Sequence, residues 1–112
     1  MLRTFRLIDG DQDNLQVGFL TYDEQSKQFA INVTSRDVEQ LPLSLECLVI
    51  SGNYMVNHED SLRWARGRIC PPGRHNISEI LRDNGITEYD EFELLMVHNG
   101  RCDKDSLYLV EY

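Results

Sequence analysis

Four side chains in the second half of the chain are of metal-binding type: Cys70, His75, His98 and Cys102. Thiolates and imidazoles together suit zinc. Their spacings are C-x4-H and H-x3-C, neither of which matches a standard zinc knuckle, and Asn99-Gly100 breaks the chain between His98 and Cys102. The same residues contain a Cys-His pair, but no nucleophile elbow or oxyanion-hole motif accompanies it. Asp9-Gly10-Asp11-Gln12-Asp13-Asn14 has the look of a calcium loop. An EF-hand needs Gly at its sixth position and a bidentate Glu at its twelfth. Here those positions hold Asn14 and Leu20, so an acidic hairpin turn is expected instead. No Gly-rich loop opens a helix to cradle phosphate. The scattered carboxylates single out no acid/base pair. No catalytic residue, metal ligand or cofactor is therefore assigned, and the chain is expected not to be an enzyme.

The remaining chemistry-bearing group is Trp64 with Arg63, Arg66, Arg68 and Arg74. Trp and Arg are the side chains most enriched at binding hot spots, which makes these five the candidate partner-binding residues. Arg63 and Arg66 stand at helical spacing and are expected to be the more exposed pair. The competing reading puts Trp64 in the core and pairs the arginines with acids. Arg68 and Arg74 flank Pro71-Pro72-Gly73, a turn whose helix-end carbonyls need donors. Either arginine could hold that turn through carbonyls or an acid such as Asp105. For Arg74 this structural role is the expectation.

Elements must position these groups. Met1–Ile8 is rich in Leu, Phe and Ile, and Asp9-Gly10-Asp11 breaks it. Residues 15–22 alternate, placing Leu15, Val17, Phe19 and Thr21 on one side. Residues 28–34 alternate again, with Phe29, Ile31 and Val33 on one face. Two such runs separated by polar turns predict an antiparallel meander. Leu45–Ile50 fits a short strand or a buried helical turn equally well. Asn57 is a helix cap with Glu59 and Asp60 behind it, and Gly67 and Pro71-Pro72 end that helix. A second helix is expected over about 74–84, stopped by Gly85. A third follows Thr87-Glu88-Tyr89-Asp90, with Phe92, Leu95 and Met96 as its apolar stripe. Residues 106–112 suit a final strand. The expected fold class is α+β in one domain spanning 1–112: a small N-terminal antiparallel sheet covered on one face by about three helices.

Composition narrows the function classes. The chain carries 11 basic and 19 acidic side chains, a net charge of −8. That argues against direct nucleic-acid binding, where phosphate neutralisation supplies the affinity. The charge is segmented. Residues 63–82 hold five arginines and one acid, residues 9–24 hold five acids and no base, and residues 83–112 hold eight acids and two bases. A basic stretch between two acidic ones is expected to be partly neutralised by them on folding. Three widely spaced cysteines, Cys47, Cys70 and Cys102, argue against a disulfide framework. No apolar run reaches the roughly 20 residues of a membrane helix. The first ten residues lack the pattern of a signal peptide, so a cytoplasmic location is expected.

Trp64, Arg68, Pro71, Arg74, Ile77, Leu81 and Gly85-Ile86, then Leu94-Leu95, Gly100 and Asp105, stand in one ungapped frame. This pattern resembles the segment preceding the kinase domain in HipA-like proteins of gut Firmicutes. Leu41-Pro42-Leu43 is similar to the Leu-Leu-Pro of that segment, so the resemblance spans roughly residues 41–109. It departs where a second tryptophan is replaced by Ala65, and in the ending, where only Gly100, Asp105 and an aromatic remain. No catalytic Asp motif or metal-binding loop accompanies it, so kinase activity does not carry over. The resemblance implies an accessory module, antitoxin-like, that binds and restrains a HipA-like kinase. The alternative, drawn from the acidic stretches, is a phage or mobile-element inhibitor of the anti-CRISPR type, acting on a nucleic-acid-handling effector by protein binding or DNA mimicry. On both readings the partner is another protein.

Overall fold

The computed structural model describes all residues from Met1 to Tyr112. Five strands form one antiparallel sheet in the order β4-β3-β2-β1-β5. The strands are β1 (Leu2–Asp9), β2 (Leu15–Asp23), β3 (Gln28–Val33), β4 (Met55–Val56) and β5 (Leu107–Glu111). Four helices accompany them: α1 (Leu43–Val49), α2 (His58–Arg66), α3 (Ile77–Asp83) and α4 (Glu91–Val97). The fold is α+β, as the patterning predicts. The ambiguous 45–50 run is the helix α1, which buries Leu45 and Val49.

One face of the sheet carries the core. Phe5, Leu7, Leu20, Tyr22, Phe29, Ile31, Val33, Leu107 and Leu109 point into it and meet Leu45, Trp64, Ala65, Phe92 and Leu95 from the helices. The alternation expected in β2 is interrupted. Leu7 lies opposite Gly18, but Ile8 lies opposite Gln16, so Val17 is an extra residue on β2. This bulge reverses the parity of the strand. Val17 faces the core before it, and Leu20 and Tyr22 face the core after it. Phe19 and Thr21 are therefore not on the core side with Val17, contrary to the period-two reading. The bulged Val17 carbonyl accepts the N–H groups of Thr34 and Ser35 and ties β2 to the exit of β3.

The acidic segment after β1 is a turn, as expected. Gly10–Gln12 form a single 3₁₀ turn. Buried Asp9 accepts the Asp11 N–H at 3.0 Å and the Gln12 side-chain amide at 2.7 Å. The helix starts follow their caps: Asn57 accepts the Asp60 N–H and Asp90 accepts the Glu93 N–H, each at 2.9 Å. The second helix begins later than the spacing predicts, at Ile77, because residues 71–76 form turns closed by their own backbone.

Candidate functional site

The five residues expected to contact a partner fall into two groups. Arg63 and Arg66 lie on the exposed side of α2, with 76% and 61% of their side chains accessible. Arg63 pairs with Asp60 at 2.9 Å, one helical turn away, and Arg66 reaches Glu91 at the start of α4 at 3.1 Å. Trp64 and Arg68 are buried. Trp64 is 6% exposed and packs against β3, and the Arg68 side chain is 3% exposed. Side chains enclosed by their own fold present little surface to a partner, which is what the competing reading of Trp64 as core and an arginine paired with an acid describes.

Arg68 sits in the turn after α2 and closes the molecule around itself. Its guanidinium donates to Gly100 O at 2.6 Å and to both oxygens of Asp105 at 2.9 and 2.6 Å. A further N–H reaches Leu107 O at 3.3 Å, and the cation lies 4.6 Å over the Trp64 ring. Asp105 also accepts the Ser44 hydroxyl at 2.9 Å and the Leu107 N–H at 3.0 Å. Burial pushes the Asp105 carboxyl up. The hydrogen bonds from Arg68 and the Leu107 amide, the Arg68 charge and the Ser44 hydroxyl outweigh it and hold the carboxyl below its ordinary range. This knot joins α1, the exit of α2, the exit of α4 and the start of β5. It contains Trp64, Arg68, Gly100 and Asp105.

Arg74 does not play that part. It is exposed, donating only to Asn76 Oδ1 at 3.1 Å and Cys70 Sγ at 3.4 Å. The turn it was expected to hold is satisfied otherwise. The Arg74 and Ile77 amides donate to Pro71 O and Arg74 O, and the Tyr89 hydroxyl donates to Cys70 O at 2.7 Å. Cys70, His98 and Cys102 line one small cavity of about 280 Å³ between this turn and α4, without His75. No three metal-ligating groups come close enough to hold an ion.

The largest concavity lies elsewhere, at the ends of β1, β2 and β5 beside α4, with a volume of about 780 Å³. Its floor is aromatic: the Tyr22 and Phe92 rings stack with centroids 4.0 Å apart and an interplanar angle of 2°. Its rim is acidic, with Glu24, Asp90, Glu93 and Glu111. Arg3 donates twice to Glu111, both bonds 2.8 Å, while its guanidinium lies 5.1 Å over Phe92. Burial, with the charges of Asp90, Glu91, Glu24 and Glu93 behind it, pushes the Tyr22 hydroxyl above the usual phenol range. The two acidic stretches of the sequence meet here, Glu24 from the first and Asp90, Glu93 and Glu111 from the second. Spacing marks Asp90 and Phe92 only as a helix start and a core position, and nothing in the sequence groups these residues into a site.

A second surface is the outer face of the sheet, opposite the helices. Register places Leu2, Phe19, Ala30, Met55, Val110 and Tyr112 on it, interspersed with the uncharged polar Thr4, Thr21, Gln28, Asn32 and Tyr108. Such a face is ordinarily polar. Here Asp23, at one margin, is the only acid along the strands of that face, in a chain with 19 acids. Near the middle stands Arg6, exposed and in no ion pair, opposite Phe19 and 5.6 Å from the Tyr112 ring centroid. No helix of the molecule is long and apolar enough to cross a membrane. Compared with known protein families, curated proteins and solved structures, the chain matches none.

Proposed function

We propose that this chain is a non-enzymatic regulatory module that binds another protein through the outer face of its sheet. The observation that carries the reading is the composition of that face: apolar and aromatic side chains set among uncharged polar ones, a single acid, and one unpaired guanidinium near its centre. Arg beside aromatic side chains is hot-spot chemistry. The partner surface that fits presents a carboxylate among apolar side chains. The resemblance to the segment preceding HipA-like kinases supplies the partner class, a kinase of that type. The matched residues Trp64, Arg68, Gly100 and Asp105 are scaffold residues here, so what they support is a common framework rather than a common contact surface.

The experiment is calorimetric binding of the purified chain to a purified HipA-like kinase, with kinase autophosphorylation followed in parallel. Arg6→Glu and Phe19→Asp are expected to weaken binding about tenfold or more, as hot-spot changes do, with unchanged melting. Binding that ignores both variants, or no binding at all, rejects the reading. A second reading, an inhibitor of the anti-CRISPR type, is favoured by the convergence of both acidic stretches on one cleft. It predicts competition with DNA for a basic effector, lost when Glu24 and Glu93 are neutralised.

A further inference from the structure

Independently of the outer face, we propose that the cleft between α4 and the ends of β1, β2 and β5 is a binding site for an organic cation, the ammonium or guanidinium group of an amine ligand. Four observations meet there. First, the cleft has the size of a small-molecule site, at about 780 Å³. Second, its carboxylates are not all neutralised within the chain. Arg3 answers Glu111. Lys27, 73% exposed, stands 3.9 Å from Asp90, too far for a good hydrogen bond. Glu24 and Glu93 pair with no cation.

Third, Tyr22 is 5% exposed, yet no group of the chain bonds its hydroxyl, which lines the cleft. The hydroxyl oxygen is open to the cleft, where a ligand N–H can take the place of the water that otherwise bonds it. Fourth, the chain already shows how the cleft seats a cation. The Arg3 guanidinium lies over the Phe92 and Phe5 rings, at 5.1 and 5.4 Å, and forks onto Glu111. A second cation among Tyr22, Asp90 and Glu93 would be held by the carboxylates and the Tyr22 hydroxyl oxygen, the Tyr22 ring itself being packed against Phe92 and Phe29.

The chemistry excludes the other ligand classes. An anion would look to the start of α4, but Asp90 already caps it and the surrounding charge repels it. A bare metal ion needs clustered ligands, and the rim carboxylates do not cluster. An organic cation uses separated carboxylates and a hydroxyl oxygen together. The group arrives either on a free polyamine or on an arginine side chain of a protein segment.

The test is a pair of NMR titrations of the amide-labelled full chain, one with spermidine and one with argininamide, at low and at physiological salt. Saturable shifts confined to residues 22–27, 84–86 and 90–93 are expected. Glu93→Gln and Glu24→Gln, both at exposed positions that leave the core intact, are expected to weaken binding about tenfold. Tyr22→Phe is expected to weaken it about fivefold, the loss of one hydrogen bond. Asp83→Asn, an exposed acid outside the cleft, is the control and keeps full affinity. Saturation by spermidine assigns the site to free polyamines, and saturation by argininamide alone assigns it to a protein arginine. Shifts spread over every acidic surface, or equal affinity in the Glu93 and Glu24 variants, overturn the proposal.

Discussion

Arg68 and Asp105 answer each other so completely that losing one is worse than losing both. Arg68→Met leaves a carboxylate enclosed without its counter-ion, along with Gly100 O without its donor. The expected loss is about 3–5 kcal/mol, read from urea unfolding. Replacing both residues with apolar ones is expected to cost less, since no orphan charge remains. The pair also sets an acid dependence. The folded Asp105 carboxyl is held below its unfolded value of about 3.9. Its contribution is therefore complete above that pH and is lost as pH falls through the lower folded value. The unfolding midpoint is expected to stay level from neutral pH to about pH 5 and to drop below about pH 4. Asp105→Asn, already uncharged, is expected to start lower and lose that part of the slope. At this scale the sequence showed the need and not the residue. A guanidinium holding carbonyls and Asp105 was legible beside the Pro71-Pro72-Gly73 turn. The arginine that does so is Arg68, because the turn around Arg74 bonds to itself and to Tyr89.

Among the elements, the bulge in β2 has the sharpest consequence. Gly18 follows the extra residue Val17 and lies against β3, where an added Cβ would come within 2.4 Å of Asn32 O. That contact is with backbone, which cannot swing aside. Gly18→Ala is therefore expected to destabilise by about 1–3 kcal/mol, although alanine is ordinarily the better strand residue. A melt comparing Gly18→Ala with Ala30→Gly, on the open face of β3, separates the steric effect from strand propensity. The helix caps are milder: Asn57→Ala is expected to cost about 1 kcal/mol. Caps and strand runs were readable because their signals are local. The bulge was not, since Leu15, Val17, Phe19 and Thr21 alternate as well as Leu20 and Tyr22 do around them. Only pairing against β1 reveals which set turns inward. The 45–50 run was undecidable because α1 is too short for a helical period to show.

The whole molecule is held by its sheet, one core and the Arg68 knot, with Cys47 exposed and Cys70 and Cys102 half-buried, all as free thiols. Chelator and reductant are expected to leave the melting temperature unchanged. A marked drop on chelation would mean that metal affinity contributes folding energy. Arg6 offers the opposite check on the outer face. Exposed and unpaired, it is expected to tolerate Arg6→Ala within about 0.5 kcal/mol, so any effect on partner binding reads the surface itself. At this scale the sequence showed charge segments but not their meeting place. Arg66–Glu91 and Arg68–Asp105 join the basic stretch to the second acidic one, as the segment pattern suggested. The cleft draws Arg3, Tyr22, Glu24, Phe92, Glu93 and Glu111 from remote parts of the chain, which no spacing rule connects.

The order of strands carries a consequence for biosynthesis. β1 is made first, and its hairpin partner β2 follows at once, but its other edge waits for β5. The Arg3–Glu111 bonds across that pairing join residues 108 positions apart. At ribosomal speed the interval between the two strands is roughly 5–20 seconds. Throughout it the nascent chain carries an unpaired strand edge beside the half-built core, open to pairing with a neighbour on the same messenger. Synthesis rate and chaperone access in those seconds are then expected to bear on how much folded protein is recovered, alongside the stability of the finished fold.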